Sequence, residues 1–584
     1  MSFRQDCGPP SETPDPSRAG VEHPNTTRSH ILTTPEPTDL IILSSRILYG
    51  EELKETAGFV AVSDGRIVLV GRAEAAEEWT ALAKHVVDVG DATVCPGLID
   101  AHIHPIAGAD IARGLDLNGI TELDAVRAAL VKHAASTGHT VGSEWLFAWG
   151  LDPIIFGEAS FNNSLFDGIL DDELVFITLF DGHAALVSDA ALNLAGITGA
   201  EELPSTGYVG VDQLGKPNGM LYEMAAQDLV RSILPQRSFE QRVDELEKLL
   251  RSMAESGLVA GHMLDFGVPE TIEVLEALEL RGDLGIRLRI SPWLMPGATD
   301  EDLRAMLAMQ GRHGRRWHVH GIKLMMDGTI DNGTAWLFEP DTHGESLHPL
   351  WHDPEALAAA MRFFHEHRIP TTTHAIGDKA VSFVARTIGD LPKNGTVHRI
   401  EHIESIPDSV LEEIIHAGAT TSLQPTHCTL YSRADHTDNW SRRLGTERAN
   451  HAWRTRDLRD AGAVVALGSD WPIAPFDPRA IIASAQTRRP AGRPDVPPVQ
   501  LQQALSARSA LEGYTSQYWR SVGEEGGIVE EGARADLTVV GHNPLTTEPD
   551  EFAQTPVILT VVDGKVVVDN RLALATGIVH VGQA

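Results

Sequence analysis

The stretch Thr93-Val-Cys-Pro-Gly-Leu-Ile-Asp-Ala-His-Ile-His-Pro105 has the pattern of a buried strand that ends in two histidines, two residues apart. Side chains at positions i and i+2 of a strand point to the same face of a sheet. His102 and His104 can therefore bind one metal ion together. Because a His-x-His pair also arises by chance, the remaining ligands must follow downstream, each at the end of its own strand.

The composition is that of a globular protein and argues against a membrane or nucleic-acid function. The chain has 584 residues, 42% of them hydrophobic and 22% charged, so two or more domains are expected. No apolar run reaches the roughly 20 residues that span a bilayer, and the N-terminus lacks the apolar core of a secretory signal. The net charge of −35 repels phosphate backbones. Three cysteines without a Cys-x-x-Cys motif predict reduced thiols and a cytoplasmic location: Cys7, Cys95 and Cys428.

Both ends of the chain carry β patterns, whereas the middle alternates strands with helices. Residues 1–38 are rich in Pro, Ser and Thr and predict a disordered tail. Residues 39–92 and 523–584 share short strands with Asp-Gly turns, and we expect them to pair into one small β-sandwich. Residues 93–522 predict an α/β fold, a (β/α)₈ TIM barrel with a long insertion after strand 1 at about 108–245. Without that insertion about 288 residues remain, close to the roughly 250 of a typical barrel.

Seven further barrel strands are expected after the first, at Leu258–Met263, Ile286–Ile290, Gly321–Met325, Pro370–His374, Thr396–His402, Ala419–Gln424 and Val464–Gly468. Active sites of such barrels collect at the C-terminal ends of the strands. Imidazoles with a carboxylate suit Zn²⁺ or a similar divalent ion. Six candidate residues stand at these ends in strand order and predict a metal site: His102, His104, Lys323, His374, His402 and Asp470.

Two other His-x-His pairs are weaker candidates for metal ligands. His318 and His320 precede Lys323, at the opening of strand 4 and so on the far side of the barrel. His365 and His367 lie in a helical run, where positions i and i+2 diverge by about 200°. Both pairs are expected to be packing or surface histidines.

The six residues and their neighbouring motifs resemble the amidohydrolase superfamily of metal-dependent hydrolases. The long insertion, Asp181-Gly-His183, Lys323 with Asp327-Gly328, and Ser422-Leu-Gln-Pro-Thr-His427 are similar to its amidohydrolase-3, or YtcJ-like, branch. That branch includes N-substituted formamide deformylases, and the resemblance covers about residues 39–570. It implies hydrolysis of a non-peptide carbon–nitrogen bond, of amide or N-substituted formamide type, by metal-activated hydroxide.

The resemblance also implies roles for the ligands. In two-metal members of the superfamily a strand-4 lysine is carboxylated by CO₂ and bridges the ions, and Lys323 matches that position. His102, His104 and Asp470 would then hold the first metal, and His374 and His402 the second. Two alternatives stay open. Lys323 could instead be a free ammonium that binds a substrate carboxylate or pairs with Asp327, and a one-metal site could use His102, His104, His374 and Asp470 while His402 polarises the substrate.

The reaction follows from these parts. A metal lowers the pKa of bound water from 15.7 toward about 7. Asp470 is placed to take the proton of the resulting hydroxide and deliver it to the leaving amine. Trp145, Trp149 and Trp336 could supply aromatic walls, although core packing is the commoner role of such residues. Five residues are candidates for substrate contact: His183, Asp327, Gln424, His427 and Trp471.

Other functions remain as alternatives to amide hydrolysis. A one-metal deaminase would attack a ring carbon–nitrogen bond of a heterocyclic amine. An amidohydrolase-like scaffold would have lost its ligands, and the complete set of six argues against that. A metal-buffering protein fits poorly, because such a site needs neither a lysine nor a general base. The expected partner is a small-molecule amide, and a homodimer is a family-level expectation.

Overall fold

The computed structural model describes residues 36–120, 122–136, 144–156, 161–203, 207–265 and 270–575 of the chain. The tail predicted at 1–38 falls almost wholly outside these described residues, as does Cys7. Among the described residues, no helix combines the length and the apolar character needed to cross a membrane.

Eight strands pair in parallel and close into a ring, which makes the centre of the protein a TIM-barrel-like α/β fold. They pair in chain order within two sheets. Single parallel bridges close the ring: Trp293 with Lys323 joins the two sheets, and Ile103 with Trp471 joins strand 8 to strand 1. The predicted barrel strands are thereby confirmed. In order, the strands are Leu98–Ile103, Leu258–Met263, Arg287–Ile290, Trp317–Val319 continued by Ile322–Met325, Thr371–Ala375, Arg399–His402, Thr420–Leu423 and Val465–Leu467.

Nearly every residue of these eight strands is buried, because helices cover the outside of the ring and side chains fill its interior. One helix follows each strand and packs outside it: Phe239–Glu255, Thr271–Arg281, Asp300–Met309, Pro354–Glu366, Asp378–Gly389, Asp408–Ala417, Thr455–Asp460 and Pro478–Thr487. Shorter helices lie in the connections around strands 7 and 8, at Pro425–Tyr431, Asn439–Leu444, Thr446–Ala449, Ala507–Gly513 and Ser516–Ser521.

The segment between strands 1 and 2 contains a six-stranded sheet of its own. The insertion was expected to end near residue 245, but helix Phe239–Glu255 buries five residues in the barrel core, so this helix belongs to the barrel. A capping box at Ser238 marks its start. The strands of the inserted sheet are Leu115–Asp116, Trp145–Leu151, Leu174–Leu179, Ala184–Val187, Tyr208–Val211 and Pro217–Tyr222, and the helices beside it are Ala107–Ile111, Leu123–Ser136, Asp189–Ala195 and Glu223–Arg231.

Strands from the two ends of the chain share one eight-stranded sheet beside the barrel. The C-terminal strand Leu537–Val540 pairs antiparallel with Thr93–Pro96, directly before barrel strand 1. Two-residue hairpin turns in this sheet use the expected Asp-Gly pairs, which have positive φ at both positions, as tight hairpins require. The other strands are Thr38–Tyr49, Lys54–Ser63, Arg66–Arg72, Ala83–Asp88, Val557–Val562 and Lys565–Asp569, and the short helices are Ala76–Thr80, Pro549–Ala553 and Arg571–Ala575. The division of the chain into domains stays a prediction.

Candidate metal centre

All six residues predicted as ligands lie at the C-terminal ends of their strands and are buried. Their exposed fractions range from 0% for His102 to 8% for His104. A ring of parallel strands brings these ends together although the residues are far apart in the sequence. The structure therefore brings together His102, His104, Lys323, His374, His402 and Asp470.

Three ligand atoms form a nearly equilateral triangle. The Nε2 atoms of His102 and His104 are 3.2 Å apart, and Asp470 Oδ1 lies 3.2 Å from the first and 3.0 Å from the second. With Zn–N distances of about 2.0–2.1 Å, neighbouring ligand atoms lie about 2.9 Å apart in octahedral and about 3.4 Å apart in tetrahedral geometry. Asp470 Oδ1 is also buried without a hydrogen-bond partner. The triangle thus fits a divalent ion, and His402 approaches the same group of donors.

Neighbouring polar groups fix which nitrogen of each imidazole faces the centre. His102 Nδ1 lies 2.7 Å from Glu401 Oε2, and His402 Nδ1 lies 2.9 Å from Gln424 Oε1. Such contacts hold the ring orientation and the tautomer of metal-binding histidines. In both residues Nε2 is therefore left for the metal. Gln424, a candidate for substrate contact, is the residue that contacts His402 Nδ1.

Asp265 is the carboxylate beside His104 Nδ1 and was missed in the sequence. Its carboxylate lies 3.5 Å from His104 Nδ1 and accepts hydrogen bonds from the backbone N–H groups of Ile106 and Ala107. Burial opposes protonation of His104, but Asp265 and Asp470 raise its pKa to about 8. The signal was present, since Asp265 follows barrel strand 2 directly, as the ligands follow theirs.

His374 and His402 form a second pair beside the triangle. Their ring centroids are 4.4 Å apart. His374 Nε2 lies 3.2 Å from the carbonyl oxygen of Gly328, which leaves Nδ1 for a metal. Burial lowers the pKa of both histidines well below the usual value. Both are therefore neutral, the form that binds a metal.

Lys323 lies beside His102 in the candidate ligand set. Its Nζ atom is 3.4 Å from His102 Nε2, and the residue is 1% exposed. Burial lowers the pKa of Lys323 to about 8, against the opposing effects of Glu401 and Asp470. Glu401, also missed in the sequence, is held by a 2.6 Å contact with Arg399 Nε.

Asp470 is held in an unusual backbone conformation. Its φ is 62°, and that of His402 is 71°, both in the left-handed region that non-glycine residues seldom adopt. The Asp470 N–H donates to the His102 carbonyl oxygen (2.8 Å). Asp100 ties the two strand ends further, because its Oδ1 accepts from the N–H groups of His102 and Ser469. Strands 1 and 8 therefore position Asp470 against His102.

A narrow pocket lies over this centre. His183 and His427, both candidates for substrate contact, line it with Asp470. His183 Nδ1 lies 2.9 Å from Glu223 Oε2, and although burial opposes protonation, Glu223 raises the pKa of His183 to about 9. Glu223 was missed in the sequence, and nothing in its local pattern indicates the pairing.

Asp327 and Trp471 do not line this pocket. Asp327 has no exposed surface, and its carboxylate accepts hydrogen bonds from three backbone N–H groups, of Trp336, Ile376 and Gly377. This geometry favours a role in fixing the loops after strands 4 and 5 over the predicted substrate contact. Trp471 packs edge-on against Phe476.

The aromatic walls of the pocket differ from the expected ones. Trp336 packs against Phe383, and Trp145 stacks on Phe147. Neither these two tryptophans nor Trp149 are among the described residues that line the pocket. The aromatic residues that do line it come from the insertion and from the connection between strands 7 and 8: Phe180, Tyr431, Trp440 and Trp453.

The Asp265→Asn variant is expected to weaken metal binding by about 10–100-fold, because His104 loses the carboxylate that orients it. The readout is metal affinity, measured by competition with a chelator. If Asp265 served only the stability of the fold, its replacement would not lower metal affinity selectively. Asp265→Glu should restore part of the affinity. The exposed Asp300→Asn variant is the control. Unchanged affinity in Asp265→Asn would show that His104 is oriented by other contacts.

The chain matches one family model over most of its length. The model of the amidohydrolase family covers residues 85–568. This range includes all six candidate ligands, the inserted sheet and part of the sheet formed by the two chain ends.

Individual relatives are similar over nearly their whole length. YtcJ of Bacillus subtilis (strain 168) is 27% identical over 526 residues, covering 87% of this chain and 95% of that protein. The N-substituted formamide deformylase of Arthrobacter pascens is 24% identical over 555 residues, covering 90% and 97%. A crystal structure of a metal-dependent hydrolase from Pyrococcus horikoshii OT3 has a TM-score of 0.67 at 22% identity and covers 87% of this chain and 99% of its own.

Proposed function

The chain belongs to the amidohydrolase family, hydrolases that act on carbon–nitrogen bonds, and on that premise we propose that it hydrolyses an amide or an N-substituted formamide at a divalent metal centre. The observation that carries this proposal is the triangle of His102 Nε2, His104 Nε2 and Asp470 Oδ1, with edges of 3.0–3.2 Å. Three buried donor atoms at this spacing suit one shared cation. The deformylase of Arthrobacter pascens supports the choice of formamides among possible amides.

His102, His104 and Asp470 would hold a first ion, most suitably Zn²⁺, and His374 and His402 a second. When bound, the metal lowers the pKa of water so that a nucleophile forms near neutral pH. Buried neutral imidazoles fit this role, because burial lowers the pKa values of His102, His374 and His402 well below the usual value.

Asp470 would move the proton during the reaction. Its Oδ1 faces His102 and His104, whereas Oδ2 lies 3.7 Å from Nε2 of His427, which lines the pocket. The second oxygen can therefore take a proton from the attacking water and deliver it to the leaving nitrogen. His427 is placed to contact the substrate beside the group that breaks.

Lys323 would carry the carbamate that links the two ions. CO₂ adds to a neutral amine, and burial lowers the pKa of Lys323 to about 8. The neutral fraction then rises from about a tenth at pH 7 to about nine tenths at pH 9. The resulting anion would lie among the imidazoles of His102, His374 and His402.

A one-metal deaminase is the second candidate. His102, His402 and Asp470 offer three donor atoms within 4.8 Å of one another, which would fit a single ion without a carbamate. Hydrolysis of a ring amine would then release ammonia from a heterocycle.

Metal analysis of the purified protein, joined to a screen of N-formyl and N-acyl amines and a panel of purines and pyrimidines, tests the proposal. We expect a carboxylate and an amine from at least one amide, with turnover that bicarbonate increases more at pH 9 than at pH 7. Lys323→Arg, which keeps its charge, should not respond to bicarbonate. Ammonia released only from heterocycles would favour the deaminase, and a metal-free, inactive protein would favour the scaffold.

A further inference from the structure

The pocket above the candidate metal centre is rich in carboxylates that no ligand role explains. Asp181, Asp331 and Glu404 line it and are 6–8% exposed. Among the described residues that line the pocket there is no lysine or arginine. Four aromatic residues complete the wall: Phe180, Tyr431, Trp440 and Trp453.

The acidic region continues away from the metal centre. A second, smaller hollow shares Phe180, Asp331 and Tyr431 with the pocket, and its lining adds Asp152 and Asp438. None of the candidate metal ligands is among the described residues that line this hollow, and Arg433 is the one basic residue among them. Asp331 therefore lies where the two cavities meet.

The hydrogen bonds of these carboxylates come mainly from neutral groups. Asn439 Nδ2 donates to Asp331 Oδ1 (2.9 Å), and Trp440 Nε1 donates to Glu404 Oε2 (2.7 Å). The nearest basic groups do not balance the charge. His427 Nδ1 is 4.0 Å from Glu404, and the protonated His183 is paired with Glu223. Burial raises the pKa of Asp331 well above its usual value and that of Glu404 to about 8, so these groups ionise readily only beside a positive charge. A cation bound among them would supply that charge.

A separate feature shows where a ligand would lie. His427 Nε2 is buried without a hydrogen-bond partner, and the residue, 6% exposed, lines the same pocket. This atom is 3.7 Å from Asp470 Oδ2, at the reacting end. A ligand whose amide group lies at His427 would extend its other end toward Asp331.

We propose that the amide substrate carries a cationic nitrogen, an ammonium or quaternary ammonium group on its amine half, which binds among the aromatic rings near Asp331. The inference rests on the proposed hydrolysis for the other half of the ligand. Aromatic faces and carboxylates both attract organic cations, and an enclosed site strengthens the attraction. An anionic amine half would instead meet three carboxylates.

Three formamides of matched size test the charge preference. They are the N-formyl derivatives of 2-(trimethylammonio)ethylamine, of its neutral isostere 3,3-dimethylbutylamine, and of β-alanine. On the metal-loaded enzyme, kcat/KM should be at least about 10-fold higher for the cation than for the isostere, and lowest for the carboxylate. Dissociation constants measured by calorimetry with Asp470→Asn should follow the same order. Equal values for the cation and its isostere, as expected if the acidic residues only balance the charge of bound metals, would overturn the inference.

Two variants test where the cationic group of the substrate binds. In Asp331→Asn, kcat/KM for the cationic formamide should be no more than about 2 times that for its neutral isostere. The ratio of their binding affinities should fall in the same way. Asp435→Asn removes the same charge from an exposed site between strands 7 and 8 and should keep the wild-type ratio. An unchanged ratio in Asp331→Asn would contradict the placement.

The two proposals fail in different ways. Binding that prefers the cation, and loses this preference in Asp331→Asn, without hydrolysis of any formamide would remove the proposed reaction and keep the cation site. Hydrolysis without a charge preference would remove the cation site and keep the reaction.

Discussion

The Asp470→Asn variant is expected to lose about 10³–10⁴-fold in kcat while its fold is retained. The substitution removes a metal ligand and the group that takes and returns the proton, and the second loss alone costs about 10²–10⁴-fold in other enzymes. Asparagine suits the position, because the φ of Asp470 is 62° and asparagine tolerates the left-handed region better than most residues. Its N–H can still donate to the His102 carbonyl oxygen. Steady-state kinetics and circular dichroism measure the two effects.

A matched control separates catalysis from backbone effects. Asp64, in the hairpin turn between Lys54–Ser63 and Arg66–Arg72, also has positive φ (50°) and is exposed. Asp64→Asn makes the same chemical change in a similar backbone conformation, far from the ligands in the fold. It should leave kcat within about 2-fold of the wild-type value. If Asp470→Asn kept more than a tenth of the activity, another group would have to move the proton.

The clustering of the candidate ligands could be predicted from the sequence because one rule governs their positions. In a closed ring of parallel strands, a polar residue at the C-terminal end of any strand shares a cavity with those of the others. His102 and Asp470 are far apart in the sequence, yet their side chains lie 3.2 Å apart. The alternation of strands and helices was enough to place these residues at one end of the barrel, because this inference does not depend on side-chain packing.

The partners of the ligands could not be assigned in this way. Asp265 and Asp327 both follow a barrel strand, yet one orients His104 and the other accepts three backbone N–H groups. The difference depends on how each loop folds back, which the strand pattern does not encode. Trp440 and Trp453 likewise reach the pocket from the irregular connection between strands 7 and 8, where periodicity carries little information.

The surroundings of His102 and His104 give these two histidines different charges in the metal-free protein. Glu401, held by Arg399, contacts His102 Nδ1. Asp265 lies beside His104 Nδ1 and raises the pKa of that histidine. The two histidines therefore differ in charge before a metal arrives. His102 is neutral because burial lowers its pKa well below the usual value. The pKa of His104 is about 8, so it is mostly protonated at pH 7.

Removal of the metal by a chelator is expected to abolish turnover and to destabilise the fold, and Zn²⁺ should restore both. A ligand present at about 1,000 times its dissociation constant stabilises the native state by about 4 kcal/mol. Thermal unfolding with and without chelator measures this effect, and it should be much smaller in Asp470→Asn. Full activity after removal of the metal would exclude the proposed mechanism.

Metal binding should also release a proton in a pH-dependent way, mainly from His104. A metal requires the neutral imidazole, and the pKa of His104 in the metal-free protein is raised to about 8. Binding at pH 7 should therefore release about 0.9 proton from this residue, and binding at pH 9 about 0.1. Apparent affinity should rise nearly 10-fold for each pH unit between 6 and 7.5 and level off above 8. Calorimetry in buffers of different ionisation enthalpy counts the protons. In Asp265→Asn the release at pH 7 should fall, because the carboxylate that favours the protonated ring is gone, and an unchanged proton count would contradict this assignment.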